Sequence, residues 1–525
     1  MASVDLTQTD AAAPREHTSA GTMGHHRAVP AEERWAVPRW WVVAGSAVLL
    51  AHLAVLVVLV AHEYNRFNVS LDFGVFHQAW FEIAHGNLDP QTTTQGIAFW
   101  QDHGEFVMWP LALLYWVFPN DGFTLLLVQC TALVAAEAVA VVWVVSLARI
   151  RGVRRALAAV CAGAGLILFL VDPWSYRVVV QDFHFETLAA CLTLGAGFAL
   201  WSGRRRTAWV LAVLCLLTGD VGATYVAALG VAFALTTKRC RRDGIAIAVV
   251  GVAWVALLAL LGANKGSPIS GYAYLAGHQV SSGIGGVLAI AKGAITHPGR
   301  PVHMLRSYRP QILDDLTPTG FVGLFNPWLF GPLLAVLAAN GLNANPAFID
   351  PGFQDIPIYL FGVAATALNA VIVLSWRRVR AGIVAAALVV AVLGAVAFAL
   401  DEVSQGFIVP FHVDAPTAAQ IAQIRKATPP DAEVISTFGV VGRFAGRRYA
   451  YVISPLGSRF PVHASTVVFV FAPTAGTQPL PLQEIADMRQ FVAEGLHATP
   501  IVSGPDAWGY VWHPSPGVGQ VVLPQ

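Results

Sequence analysis

Acidic and histidine side chains gather at four places in the first half of the chain. These groups contain Asp72 and His77; Asp102, His103 and Glu105; Asp182, His184 and Glu186; and Asp220. Carboxylates beside imidazoles can act as general bases or hold a divalent metal. Solvation of an exposed surface would explain any one group equally well. A metal, if one binds, would take Asp182, His184 and Glu186, although their spacing is less specific than that of HExxH.

Asp72 has two interpretations. Phe73, Phe76 and Trp80 follow it at helical spacing, which predicts a helix with one aromatic face. An acid at the start of a helix is favoured by the free N–H groups there, so Asp72 could serve only as an N-terminal cap. The alternative is a catalytic carboxylate.

Composition defines the environment in which these groups act. Of the 525 residues, 56% are hydrophobic and only 12% are charged, and the mean hydropathy is +0.60. Soluble domains carry about a quarter charged residues, and apolar runs of membrane length recur along this chain. The composition excludes a soluble enzyme, a disordered protein and a secreted disulfide scaffold. A formal net charge of +1 argues against a nucleic-acid partner.

Four short loops between apolar runs are strongly basic and predict the orientation of the chain. Their basic residues are Arg149, Arg151, Arg154 and Arg155; Arg204, Arg205 and Arg206; Lys238, Arg239, Arg241 and Arg242; and Arg377, Arg378 and Arg380. The positive-inside rule places all four loops in the cytoplasm. The four acidic groups are then expected at the outer face, where acids are costly unless they are solvated or paired.

The same rule decides which ambiguous runs cross the membrane. Residues 106–118 are expected to lie along the outer surface as a juxtamembrane helix, because crossing would move the loop after residue 148 outside. Residues 207–237 must cross twice, with a break near Asp220, and 316–341 must form a hairpin that breaks near Asn326. We therefore predict an all-α polytopic membrane protein with about eleven transmembrane helices.

The chain is expected to have three parts. Residues 1–39 are polar and predict a disordered cytoplasmic tail. Residues 40–400 form the transmembrane domain, beginning with an uncleaved span. Residues 401–525 contain short β-rich runs and two helical stretches, 415–427 and 481–495, which predict a small extracytoplasmic α/β domain.

A long outer loop, 263–316, is basic, against the usual charge bias of outer loops. Lys292, Arg306 and Arg309 could bind a phosphate group, since arginine forks bind phosphate through two hydrogen bonds. Contact with anionic lipid headgroups explains the same charges equally well.

The runs LDFGVFHQAW, DHGEFVMWPLALLYWVFP, DFHFETLAA and TGDVGATYVAALG resemble a bacterial membrane-protein family, domain of unknown function 2079. The resemblance covers roughly residues 65–475. That family is similar to the GT-C superfamily of glycosyltransferases, which use polyprenyl-phosphate sugars. The chain departs from the family pattern at Thr218-Gly219-Asp220, which lacks a lysine, and at Gln354-Asp355, which lacks a His-Tyr pair.

The resemblance implies a function and roles for the residues. It implies a GT-C-like fold in the bacterial cytoplasmic membrane and transfer of a sugar from a polyprenyl phosphate to an acceptor at the outer face. In that superfamily an acid of the first outer loop is commonly the catalytic base or lies beside it, and Asp72 matches that position. The substrate would contact His77, Asp102, His103, Glu105, Asp182, His184, Glu186 and Asp220, and Lys292, Arg306 and Arg309 would neutralise the phosphate. The implied partners are membrane lipids, the lipid-linked donor and a cell-envelope glycan or protein acceptor.

Two other classes of function stay open. A transporter or lipid flippase would also use broken helices such as those near Asp220 and Asn326, but it would spread polar residues across the membrane depth. A scaffold whose α/β domain binds a partner would not need Asp72.

Overall fold

The computed structural model describes residues 35–118, 122–263, 268–280, 283–319, 321–345, 353–376, 379–404, 406, 413–453, 459–475 and 481–524. Residues 1–34, which make up most of the tail expected to be disordered, and the basic residues Arg377 and Arg378 lie outside these ranges.

Most of the chain is a bundle of α-helices. Its helices are α1 (Arg39–Asn65), α2 (Leu71–Ala84), α3 (Met108–Ala112), α4 (Phe123–Ile150), α5 (Arg155–Leu170), α6 (Pro173–Gln181), α7 (Phe185–Trp201), α8 (Arg205–Leu216), α9 (Asp220–Thr236), α10 (Arg241–Leu261), α11 (Ala273–Ala276), α12 (Ile284–Thr296), α13 (Gly299–Ser307), α14 (Arg309–Leu316), α15 (Phe330–Gly341), α16 (Ile356–Leu374) and α17 (Ala381–Ser404). A short hairpin, β1 (Gln91–Thr92) and β2 (Ile97–Ala98), lies in the loop after α2.

Five helices within the described ranges are long and apolar enough to cross a membrane: α1, α4, α10 with the turn before it, α16 and α17. The pair α5 and α6, bent by 41°, adds a sixth if it crosses as one span. Four shorter apolar helices are α7, α9, α12 and α15. The multi-pass helical character is confirmed, whereas the number of about eleven spans stays a prediction because the remaining segments are short.

Both expected breaks occur. The run 207–237 divides into α8 and α9 at Thr218-Gly219, and α8, at 12 residues, is about 18 Å long, less than a bilayer core. The run 316–341 turns at Asn326, but two short 3₁₀ helices, 317–319 and 322–325, replace an α-helix in its first arm. Buried amides satisfy this irregular backbone: Asn326 donates to Asn369 Oδ1 at 3.0 Å and Asn369 donates to the Val322 carbonyl at 2.7 Å.

The described basic loops lie together at one end of the bundle, which we call the basic end. Arg205 pairs with Asp243 at 2.6 Å, and Arg149 donates to the Trp35 carbonyl at 3.0 Å. The opposite end holds α2, α3 and the first residues of α4 and α7. The predicted separation of the arginines from the acidic groups is therefore present in the fold, while the side of the membrane that each end faces stays a prediction.

The C-terminal region is α/β, as expected. Its elements are α18 (Ala415–Ala427), β3 (Glu433–Thr437), β4 (Ala450–Ile453), β5 (Arg459–Pro461), β6 (Val467–Phe471), α19 (Leu482–Gln490), β7 (Thr499–Ser503), β8 (Trp508–Trp512) and β9 (Gln520–Val522). The main sheet has the order β4-β3-β6-β8-β7, with β3 parallel to both neighbours and β8 antiparallel to both of its own. The domain limits at residues 39 and 401 stay predictions.

The sheet domain packs directly on α2 through the segment 438–445. Gly74 faces Val441, and an added Cβ at Gly74 would lie 3.3 Å from the Val441 side chain. Arg443 is buried, with its guanidinium 3.7 Å from the centre of the Tyr64 ring and 4.8 Å from that of Phe67, and it donates to the Tyr64 carbonyl. Cation–π contacts of this kind stabilise desolvated arginines, so this contact holds the sheet domain against the end of α1.

Candidate active site

Asp72 lies in the first turn of α2, and the start of this helix is fixed from outside the helix. The Asp182 carboxylate accepts the Ser70 N–H at 2.8 Å and the Ser70 hydroxyl at 2.5 Å. Asp182 is 2% exposed and, unusually for a residue other than glycine, has φ +147°. Its oxygens are hydrogen-bond acceptors at the N-terminus of α2, where the backbone N–H groups lack partners within the helix. Asp182 therefore positions Asp72.

Gln129 of α4 holds the turn that carries Asp182. Its amide donates to the carbonyls of Val178 and Asp182, at 2.9 and 2.8 Å, and its carbonyl accepts the His184 N–H at 2.6 Å. This side chain joins the end of α6 to the start of α7. Sequence reasoning missed Ser70 and Gln129, because neither titrates and their partners are distant in the chain.

The loop after β2 folds back onto the break between α8 and α9. The Val107 N–H donates to the Leu217 carbonyl at 2.7 Å, and the Asp220 N–H donates to the His103 carbonyl at 3.2 Å. Gly219 permits this approach, since it has φ +99° and an added Cβ would lie 2.6 Å from the His103 carbonyl oxygen. The loop thus brings 102–105 against Asp220.

His103 lies between two carboxylates. Its Nε2 is 3.6 Å from Asp102 Oδ1, and its Nδ1 is 3.5 Å from Asp220 Oδ1. Asp102 is held in turn by Gln95, which donates to its Oδ2 at 3.0 Å. Burial lowers the pKa of His103, but the attraction of Asp220, Asp102 and Glu105 outweighs burial and raises that pKa well above 6.5. His103 is therefore a fixed positive charge among acids.

Asp72 belongs to the same electrostatic group. It reaches solvent, but protein atoms surround its carboxylate. This burial is the main cause that raises the pKa of Asp72 from 3.8 to about 6. The negative charge of Asp102 also raises that pKa, whereas the positive charge of His103 lowers it. Burial also raises the pKa of Glu105 well above 4.5. The negative charge of Glu186, at the start of α7, also raises the pKa of Glu105.

We call Asp72, Asp102, His103, Glu105, Glu186 and Asp220 the acidic cluster. The structure brings together two of the four predicted groups in full, Asp102, His103 and Glu105 with Asp220, and one member of each of the other two, Asp72 and Glu186. A carboxylate with a pKa of about 6 is mostly ionised at pH 7 and can accept a proton from a substrate. A protonated imidazole in the same cluster can stabilise a developing anion.

The other predicted site residues lie elsewhere. His77 is 2% exposed, and its Nδ1 lies 3.0 Å from the Gly442 carbonyl, so it packs between α2 and the sheet domain. Asp182 and His184 are 2% and 4% exposed. Asp182 contacts Ser70 before α2, and the His184 N–H donates to Gln129 of α4. Lys292, Arg306 and Arg309 are exposed on α12, α13 and α14, and within the described ranges they form no ion pair.

The geometry does not gather metal ligands as predicted. The Asp182 carboxylate accepts the Ser70 N–H, and the His184 N–H donates to the Gln129 side chain. Among the residues that the structure describes, no group of three or more His, Cys, Asp or Glu side chains is arranged to hold a metal ion.

A family model described as a predicted membrane protein (DUF2079) matches residues 63–462 of the chain. The chain belongs to the DUF2079 family. The match includes the whole acidic cluster and the bundle around it, so the resemblance seen in the sequence is confirmed. No curated protein matches the chain.

The structure was also compared with solved structures. ArnT from Cupriavidus metallidurans bound to undecaprenyl phosphate is similar, with a TM-score of 0.47 and 14% identity over 90% of this chain and 98% of ArnT. The apo state of ArnT gives a TM-score of 0.45 and 12% identity over the same shares. At these values the similarity does not establish a shared function.

Proposed function

We propose that this DUF2079 protein transfers a sugar from a polyprenyl-phosphate donor to an acceptor hydroxyl at the outer face of the cytoplasmic membrane. The observation that carries the proposal is that Asp72, whose pKa is about 6, lies within the electrostatic reach of a protonated His103 at the end of the bundle opposite the basic loops. The resemblance to GT-C glycosyltransferases noted from the sequence motifs supports the choice of reaction.

Asp72 is the proposed base. It takes the proton of the acceptor hydroxyl while the acceptor oxygen bonds to the anomeric carbon, and the bond from that carbon to the phosphate oxygen breaks. The proton passes from Asp72 to water, and the lipid leaves as a polyprenyl phosphate. A positioned base of this kind contributes about 10²–10⁴-fold to the rate.

The leaving phosphate gains negative charge, and the acidic cluster would repel it without a counter-charge. His103 supplies that charge, because Asp102 and Asp220 hold its ring between them at 3.6 and 3.5 Å. We propose that Lys292, Arg306 and Arg309 add to it when the donor binds. A preorganised charge stabilises the transition state more than a mobile one.

A lipid-linked donor needs an apolar route to the cluster. The segment of α3 and the following 3₁₀ turn, Met108–Trp116, leaves Leu113 and Trp116 exposed at 68% and 67%. Its backbone joins α2, since Trp80 Nε1 donates to the Leu111 carbonyl at 3.1 Å. This segment fits the expected juxtamembrane helix, and we propose that it lies in the bilayer surface beside Asp72.

The test is sugar transfer by the purified protein in vesicles, with a panel of radiolabelled polyprenyl-phosphate sugars and an envelope extract as acceptor. Asp72→Asn is expected to lower transfer at least about 100-fold, since it keeps the shape of the side chain but loses the base. Asp487→Asn, an exposed acid on α19, is the matched control and is expected to have wild-type activity. Full transfer by Asp72→Asn would refute the role of Asp72.

One observation favours a transporter as the second candidate. His52 of α1 and Glu137 of α4 are 3% and 0% exposed and pair at 3.1 Å within two membrane-length helices. Ionisable groups inside a membrane often mark a transport path. Lipid or ion flux in vesicles that His52→Ala abolishes, together with absence of sugar transfer, would favour transport.

A further inference from the structure

A pocket of about 560 Å³ lies between the β1–β2 hairpin and the sheet domain. Residues 91–96 form one wall, and Tyr449, Tyr451, Arg459, Phe460 and His463 form the other. We call it the hairpin pocket. Its size falls within the range of about 300–1,000 Å³ that is usual for small-molecule sites.

The two walls are joined by a specific set of hydrogen bonds. The Thr93 hydroxyl donates to the Ala450 carbonyl at 2.6 Å and accepts the Ala450 N–H at 3.0 Å, so the hairpin is attached to the edge strand β4. Gln78 of α2 accepts the Thr93 N–H at 2.9 Å and donates to the Arg448 carbonyl at 2.9 Å. These hydrogen bonds join α2, the hairpin and the sheet, and they fix the two walls of the pocket relative to each other.

The lining combines aromatic rings with polar groups, and it includes the guanidinium of Arg459. The rings of Tyr449 and His463 stack with centres 4.3 Å apart and planes 9° apart. Glu433 fixes His463, whose Nδ1 lies 2.9 Å from the Glu433 carboxylate. The facing wall carries the side chains of Gln91, Thr94 and Gln95, and within the described residues the Thr94 hydroxyl has no hydrogen-bond partner.

These groups match the chemistry of a saccharide. A sugar ring has C–H faces that pack on aromatic rings and hydroxyls that exchange hydrogen bonds with amides and hydroxyls. No carboxylate lines the pocket in the described part of the chain, so it does not share the charge of the acidic cluster.

The pocket also adjoins the candidate active site. Gln95 lines the pocket and donates to Asp102 Oδ2 at 3.0 Å, and Asp102 lies 3.6 Å from His103. We propose that the hairpin pocket binds a saccharide, and that this saccharide is the acceptor whose hydroxyl reaches Asp72. The identity of the acceptor rests on the proposed function, whereas saccharide binding does not.

Binding can be tested without turnover. The full chain in lipid nanodiscs, without a donor, is titrated with defined di- and trisaccharides of glucose, galactose, mannose, arabinose and N-acetylglucosamine, and saturation-transfer NMR measures binding. At least one saccharide is expected to bind, and Tyr449→Leu and His463→Ala are each expected to weaken binding about three- to tenfold. Trp508→Leu is the matched control, because Trp508 is a partly exposed aromatic on β8 of the same sheet that contacts Arg489.

Arg459→Ala changes only an exposed residue at the rim and is expected to weaken the same saccharide, which covers the case that Tyr449→Leu does not fold. Absence of binding by every saccharide would overturn the proposal, as would equal binding by the wild type and the pocket variants, or binding of a neutral hexapeptide instead. Asp72→Asn is expected to bind the saccharide normally. Saccharide binding in the pocket without transfer from any donor would refute the proposed function alone.

Discussion

The pKa of Asp72 leads to a sharp prediction for the pH dependence of transfer. A base with a pKa of about 6 is about nine-tenths ionised at pH 7 and about a tenth ionised at pH 5, so kcat/KM is expected to fall about tenfold between them. A carboxylate at the ordinary value of 3.8 would stay almost fully ionised over that interval. Above the raised pKa of His103, loss of its proton is expected to lower the rate again.

Two variants should move the acid limb of this profile in opposite directions. The charge of Asp102 raises the pKa of Asp72, so Asp102→Asn should shift the limb to lower pH, yet keep it above 3.8 because burial persists. The charge of His103 lowers the same pKa, so His103→Gln should shift the limb to higher pH.

The assay is single-turnover transfer from pH 4.5 to 9 at constant ionic strength, with Asp487→Asn as the control that should leave the limb in place. Shifts in the same direction for Asp102→Asn and His103→Gln would show that these two charges do not set the pKa of Asp72. A wild-type limb near pH 4 would show that burial does not act on the base.

Three further substitutions test the supports of the site. Gly219→Ala would place a Cβ 2.6 Å from the His103 carbonyl oxygen at φ +99°, and it is expected to cost about 1–3 kcal/mol in thermal unfolding and to lower activity. Ser70→Ala removes the hydroxyl that Asp182 binds, and a loss of about 1.5–3 kcal/mol is expected; an unchanged melting temperature would contradict that contact. Arg443→Met is expected to destabilise the junction with the sheet domain by about 2 kcal/mol and to speed proteolysis there, and an unaltered cleavage rate would argue against this junction.

Sequence reasoning succeeded where local patterns are decisive. The helix predicted at 415–427 matches α18, and the helix predicted at 481–495 contains α19, because helical patterns report the local backbone. The break at Asp220 was also visible, because an acid interrupts an apolar run there. The positive-inside rule predicted that the acidic groups lie at one end of the bundle, because it assigns each loop to one side of the membrane without any knowledge of packing.

The sequence could not show which polar residues face one another. His77 lies on the same helix as Asp72 but five residues on, which turns it toward Gly442 and away from the cluster. Asp182 was expected at the substrate, and instead its carboxylate binds Ser70, 112 positions earlier in the chain. Contacts of this range depend on packing, and no local periodicity reports them.

The hairpin pocket was invisible for a similar reason. Gln95 and Tyr449 line the same pocket, but most of the helical bundle lies between them in the sequence. Neither segment has a motif that predicts a ligand. The Thr93 contact with β4 brings them together.

The most direct test of the central claim is a cryo-electron microscopy structure in nanodiscs with a non-cleavable phosphonate analogue of a polyprenyl-phosphate sugar. We expect the sugar beside Asp72 and the phosphonate within contact of His103, with the lipid chain along Met108–Trp116. Density for the analogue beside His52 and Glu137, away from the acidic cluster, would contradict the proposed site.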